Sequence, residues 1–391
     1  MYIHDLDISW IDHPFLLQQF LIKDGETITK IVRHGIDTVY IDTQKGGDIP
    51  IKQRENSEAL PEVEQRLEQL IGEIISPVQP QHRSSPHDFS QAKEVLANAT
   101  AVVEQLFDET RDGLPPDCCE LESITGAIIR SVIQSPYALS GLSRFKVLDR
   151  YTAMHSVSVA ALSASFGRYL GLTPEVIAEI TRGALLHDIG KALIPKRILK
   201  KTTPPTDAEF RLMRGHVQLT SSILEKTVGT TPAMVEFIGQ HHERCNGSGY
   251  PERIRGTEMG TIGKMAAIID VFDAVTSRRE YRPPWSPTHA LKKLLEWSPD
   301  YFDSDLVHQF IRFQGIFPVG TLVEMRSGCV GIITAQSKNL KKPVVTLFLT
   351  PQKTAMGQLQ EVKTEQSDET ILTAITAERY NIDEEALLRQ L

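Results

Sequence analysis

From residue 91 to about 315, apolar residues recur at three- and four-residue spacing almost without interruption. That period commits the body of the chain to packed amphipathic helices. AKEVLANATAVVEQLF, ELESITGAIIRSVI, RYTAMHSVSVAALSASFGRYLG and PEVIAEITRGALLHDIG each carry the stripe. Thr173 followed by Pro174 is the cap and first-turn proline of one of them. Pro195, Pro204 and Pro205 demand a loop between 192 and 206. Residues 1–75 differ, mixing strand-like FLIKD and TVYIDT with helical GETITKIVRHGI and VEQRLEQLIGEII. The proline- and serine-rich stretch 76–90 has linker composition. After Phe317, GTLVEMR, CVGIITA and PVVTLFLT are β-branched and alternating, with a short helix, EEALLRQL, closing the chain. The expected fold is mainly α. A small α/β domain (1–75), a linker (76–90) and a helical domain (91–317) precede a short β-rich segment (318–391).

Charge narrows the function. The 42 Lys and Arg against 50 Asp and Glu give a net charge of −8, so no broad basic surface for a nucleic acid polymer is implied. A local basic pocket for a small anion remains compatible. No apolar run reaches the length of a membrane span, and MYIHDLD lacks a secretory leader's basic and apolar regions, which reads as cytoplasmic. Cys118, Cys119, Cys245 and Cys329 show neither a disulfide framework nor zinc-knuckle spacing.

Chemistry concentrates in one region. Of twelve histidines, His155, His187, His216, His241 and His242 fall within the helical pattern, several on apolar stretches. His187 and Asp188 end the apolar ALLHDIGK, His241 and His242 end MVEFIGQHH, and Asp270 interrupts MAAIIDVF. A carboxylate in such a run is costly to bury unless it is paired or metal-bound. Taken singly, an HD or HH dipeptide is weak, and Asp273 reads equally as a surface charge or as a partner standing behind a ligand. The ordered set carries the signal, because imidazoles and carboxylates converging between helices can hold transition metals.

HDIGKALIP, MRGH, HHERCNGSGYP, IIDVFDAVTS and REYR together resemble the HD-GYP family, the branch of the HD phosphohydrolases that hydrolyses cyclic di-GMP. WIDHPFLLQQFLI and GIDTVYIDT resemble a domain of unknown function that often precedes it. The resemblance implies an HD-type helical bundle and a metal-dependent phosphodiesterase that opens cyclic di-GMP to linear pGpG, with slow or no further cleavage to GMP. It implies two divalent transition metals, iron or manganese, activating a hydroxide between them. His155, His187, Asp188 and Asp270 would hold one metal, and His216, His241 and His242 the other, with Asp188 bridging. Asp188 and Lys191 would be catalytic. Lys191, Arg279 and Arg282 would contact substrate phosphates, and Gly249, Tyr250 and Pro251 would shape the substrate site and serve signalling-protein partners.

The chain departs from the family pattern in places. Tyr151 stands where some members carry a glutamate for a third metal, which favours two metals. Glu280, Lys264 and Asn246 replace the common proline, arginine and aspartate. Other readings stay open. One is a phosphodiesterase for another cyclic dinucleotide such as cyclic GMP-AMP; the other is a catalytically weak sensing or docking module.

Overall fold

A computed structural model describes residues 2–5, 20–22, 28, 40–41, 86–142, 150–199, 201, 206–277, 284–337, 339–383 and 387. The chain divides into two compact units, Met1–Ile74 with Pro195–Met213, and Ile75–Ile194 with Arg214–Leu391. In the first, β1 (Tyr2–Asp5) lies between β2 (Phe20–Leu21) and β3 (Tyr40–Ile41), antiparallel to both. FLIKD and TVYIDT thus contribute β2 and β3, while the two helices expected between residues 25 and 75 fall almost wholly outside the described residues.

The second unit is the helical body. Its first helix, α1 (Pro86–Arg111), starts inside the stretch with linker composition, because Pro86 occupies a first-turn position that needs no N–H. Then come α2 (Cys118–Gln134), α3 (Ala138–Leu142), α4 (Tyr151–Tyr169) and α5 (Pro174–Leu186). Thr173 caps α5 as its sequence suggests, accepting the Val176 N–H. A 3₁₀ turn follows at Ile189–Leu193. The proline-marked connection, whose residues Pro195–Met213 belong to the first unit, contains two short helices, α6 (Lys196–Leu199) and α7 (Asp207–Arg214); a proline just before a helix costs it nothing. The body continues through α8 (His216–Leu224), α9 (Pro232–Gln240), α10 (Thr261–Thr276), α11 (Pro287–Trp297) and α12 (Ser304–Gln314).

Helix α4 is central. Every residue from Ala153 to Gly167 is buried, and its many Ala and Ser residues let neighbours approach on all sides. Helix α10 is nearly as enclosed. These two helices carry His155 and Asp270 into the apolar interior.

The C-terminal strands form one antiparallel sheet in the order β7-β6-β5-β4-β8, from β4 (Leu322–Met325), β5 (Val330–Ala335), β6 (Val344–Leu349), β7 (Ala355–Lys363) and β8 (Ile371–Ile375). Period-two alternation sends Val323, Ile333, Val345 and Leu347 into the helical core. Leu322, Val330, Ile332 and Phe348 face the other way, against Ile375, Ala377 and Leu387. The closing helix expected from EEALLRQL lies largely outside the described residues. No described helix is long and apolar enough to cross a membrane.

Candidate active site

Five segments converge. His155 projects from mid-α4, and His187 with Asp188 follows the end of α5. His216 opens α8, His241 and His242 follow α9, and Asp270 lies within α10. The structure brings six of the seven together in two groups, His155, His187 and Asp188, and His216, His241 and His242, with Asp270 beside both. Within each group the donor atoms lie within 4.8 Å of one another.

The two carboxylates join the groups. Asp188 Oδ2 lies 3.5 Å from His187 Nε2 and 3.8 Å from His155 Nε2, while its Oδ1 is 3.3 Å from His216 Nε2. Asp270 does the same in mirror fashion, with Oδ1 3.0 Å from His155 Nε2 and Oδ2 3.5 Å from His242 Nδ1. The His187 and His241 rings stand edge to face, 5.0 Å apart.

Hydrogen bonds fix which nitrogen faces the cluster. Carbonyl oxygens only accept, so His187 Nδ1 donates to Ala184 O and His241 Nδ1 to Ile238 O, each at 2.7 Å. His155 Nδ1 meets Asp273 Oδ2 at 2.6 Å. Each of these rings therefore turns Nε2 inward. Asp273 is fully buried, accepts a hydrogen bond from Ser158 Oγ on its other oxygen, and is a partner behind His155, not a surface charge.

The HDIGK glycine has a steric reason. A Cβ on Gly190 would lie 2.2 Å from His216 O, so only glycine lets the 3₁₀ turn touch α8. Thr220 Oγ1 accepts from Gly190 N at 3.0 Å and shares its proton between His216 O and His187 O, at 2.9 and 3.2 Å. This hydroxyl ties the backbones of the two groups together.

The HHERCNGSGYP loop folds back on the same cluster. Gly247 takes a left-handed φ of +78°, and a Cβ on Gly249 would sit 2.5 Å from Glu243 Cα. Buried Glu243 accepts from Glu252 N and Arg253 N through Oε1, at 2.7 and 2.9 Å, and Tyr250 N donates to His242 O. The Tyr250 ring is thereby set 4.6 Å from the His242 ring, and Pro251, next in the chain, is half-buried. Burial, reinforced by Asp270 and Asp188, pushes the Tyr250 hydroxyl well above its ordinary pKa.

Lys191 reaches the cluster through Asp188 Oδ2. Arg279, Arg282 and Glu280 lie outside the described residues. The Tyr151 ring is nearly parallel to that of His155, with centroids 6.0 Å apart. Lys264 pairs with Asp303 at 3.0 Å, and Asn246 accepts from Ser248 N. Sequence reasoning passed over Ser158, Thr220 and Glu243; only Glu243, adjoining the HH pair, carried a local signal.

The residues present fit divalent cations. Burial would raise both carboxyls. The surrounding cations and imidazoles override it, Lys191 first for Asp188 and the His155 hydrogen bond first for Asp270, and hold both well below the usual range. Burial and then the neighbouring His187 lower His241 to about 3, and burial and then His241 hold His242 well below its ordinary value. Ionised carboxylates and neutral imidazoles are the metal-binding forms. For His187, burial acts downward but Asp188 and Asp270 outweigh it, so its pKa is raised. His187 Nε2 and Asp188 Oδ1 are buried and make no hydrogen bond, which leaves ligand atoms aimed into the cluster.

Residues 135–306 match the HD domain family, and residues 1–120 match a domain of unknown function (DUF3391). A cyclic di-GMP phosphodiesterase of Pseudomonas aeruginosa is 32% identical over 350 residues, covering 89% of this chain and 82% of that protein. A cyclic di-GMP phosphodiesterase of Thermotoga maritima is 33% identical over 45% of this chain and 48% of its own length. A 3'3'-cGAMP-specific phosphodiesterase of Vibrio cholerae is 32% identical over 41% of this chain and 31% of its own. The chain thus spans less than half of these last two relatives.

Proposed function

This chain belongs to the HD-GYP phosphodiesterases, and on that premise we propose that it hydrolyses cyclic di-GMP to linear pGpG. One observation supports the proposal above others. Two buried donor groups, three imidazoles in one and two imidazoles with Asp188 in the other, are joined by carboxylates that reach both. That arrangement suits two divalent cations, with His155, His187, Asp188 and Asp270 on one, and His216, His241 and His242 with bridging Asp188 on the other. The mixed imidazole and carboxylate set favours iron or manganese.

Cations held there would supply Lewis-acid polarisation of the scissile phosphodiester and water of lowered pKa. The chain's own residues do the rest. Asp188 and Asp270, ionised in the interior, set the spacing of the two donor groups. His155, His187 and His241 keep Nε2 inward because Asp273, Ala184 O and Ile238 O hold Nδ1. Lys191, beside Asp188 and not itself a metal-binding group at neutral pH, neutralises phosphate oxygens. Gly249 lets the loop close, Tyr250 walls the site beside His242, and Pro251 stiffens the loop exit. Arg279 and Arg282 complete the phosphate contacts in this proposal.

The Vibrio cholerae relative makes 3'3'-cyclic GMP-AMP the second substrate to offer. Metal-replete protein purified without oxygen is incubated with each dinucleotide and the products are separated by chromatography. Accumulating pGpG supports the reading; GMP as the first product, or no turnover of either substrate, refutes it. Elemental analysis of the same sample decides between two metals per chain and any other number.

A further inference from the structure

A cyclic dinucleotide carries two phosphodiesters, and a site that attacks one must hold the other without attacking it. Lys191 serves the Asp188 side of the cluster. A second cation, Arg214, is the last residue of α7, two residues before His216. Its guanidinium carbon lies over the Tyr250 ring, 4.8 Å from the centroid. That ring in turn stands 4.6 Å from His242 and 6.4 Å from His216. Arg214 is therefore reached from the metal-binding groups by way of one aromatic ring.

Stacking fixes the plane of a guanidinium through its face, while its N–H donors lie in that plane, where they suit phosphate oxygens. Tyr250 is itself fixed by the His242 carbonyl and by the loop that Glu243 closes. The half-buried guanidinium is thus held by a ring whose position the metal-binding segment dictates.

We propose that Arg214 binds the phosphate that is not cleaved, with Tyr250 as the shelf that orients it, so that this pair selects a cyclic dinucleotide over a simple diester. The proposal deepens the cyclic dinucleotide reading and rests on it. Because a charge-assisted contact is lost with one substrate only, Arg214→Gln should lower kcat/KM for cyclic di-GMP about ten- to a hundredfold, chiefly through KM. It should leave kcat/KM for bis(p-nitrophenyl) phosphate, which has a single phosphodiester, within about twofold on the same reasoning. Arg214→Lys should recover part of the loss, since it restores the charge without the planar fork. Tyr250→Leu should reproduce the Arg214→Gln defect towards cyclic di-GMP, and the double variant should be little worse than either single one.

The experiment measures both substrates with wild-type protein and these variants, alongside metal content and thermal unfolding. Equal losses on both substrates would place Arg214 at the scissile phosphate and overturn the assignment. Unchanged kinetics would remove Arg214 from the site, and lost metal would make the stack a structural prop for His216. Wild-type protein that cleaves the simple diester but neither cyclic dinucleotide would overturn the substrate reading, and this assignment with it.

Discussion

A metal-binding imidazole is only as good as whatever holds its other nitrogen, and His155 shows this within a single helix turn. Its Nδ1 meets Asp273 at 2.6 Å, and Asp273 is itself held by Ser158, one turn along α4 from His155. Partners behind a ligand tune its orientation and basicity, so Asp273→Asn should weaken metal retention about 10- to 100-fold while the fold survives. Metal content after dialysis against graded chelator measures this; retention equal to wild type would reduce Asp273 to a packing residue. Asp188→Ala should go further and abolish turnover, because that carboxylate touches both donor groups. Appreciable turnover at normal metal content would contradict its assignment. The seven metal-binding candidates were legible as a set through the resemblance to the HD-GYP pattern. Polar residues in apolar runs pointed to several of them, such as His187, Asp188 and Asp270, but were weak signals taken singly. The role of Asp273 was not legible, since the contact that settles it joins residues 118 positions apart.

Between elements, close approach decides what the site can be. The 3₁₀ turn after Asp188 reaches α8 only because residue 190 is glycine, and Thr220 closes the joint. Thr220→Val keeps the shape but leaves Gly190 N without its acceptor, at a cost of about 1–3 kcal/mol. Denaturant unfolding should register that loss, and metal affinity should fall with it; an unchanged midpoint would show that the joint contributes nothing. The stripes of α4 and α5 and the alternation of β4 to β6 could be read in advance, because each repeats long enough to show a period. The 3₁₀ turn, α6 and α7 could not, being too short to do so. At the far end of the same unit, Glu324 on β4 binds Lys353 Nζ at 2.6 Å, Tyr380 OH at 2.9 Å and Arg379 at 3.2 Å. The Lys353 hydrogen bond leads in lowering the Glu324 pKa. A carboxyl with a depressed folded pKa stabilises above its unfolded value, near 4.3, and loses that contribution as pH falls through the folded value. Glu324→Gln should therefore destabilise by about 1–2 kcal/mol at neutral pH and progressively less in acid. Urea unfolding at several pH values tests this, and a deficit that persists undiminished below the folded pKa would refute it.

Across the whole molecule, the candidate site is not a cleft added to a finished core. Its residues come from α4, α8, α10 and the segments that end α5 and α9, and apolar neighbours such as Val157, Leu186, Phe237 and Ile269 belong to one continuous core. Two carboxylates and five imidazoles occupy space that apolar side chains would otherwise fill, so their burial without cations is a standing cost to the native state. Metal binding should be linked to folding. At about a thousand times the dissociation constant, a ligand that binds only the native state adds ~4 kcal/mol, and each kcal/mol moves the midpoint of a domain this size by about 2–4 °C. Removing metal with a chelator should thus lower the melting temperature by on the order of 10 °C, and re-addition of manganese should restore it. Asp188→Ala discriminates between linkage and a general effect of the chelator. It removes a group shared by both donor sets, so its response to manganese should largely vanish, whatever the melting temperature of its metal-free form. A chelator shift of equal size in wild type and variant would place the metal dependence elsewhere in the molecule. A wild type that binds metal stoichiometrically without any shift would mean that the five converging segments hold their geometry unaided.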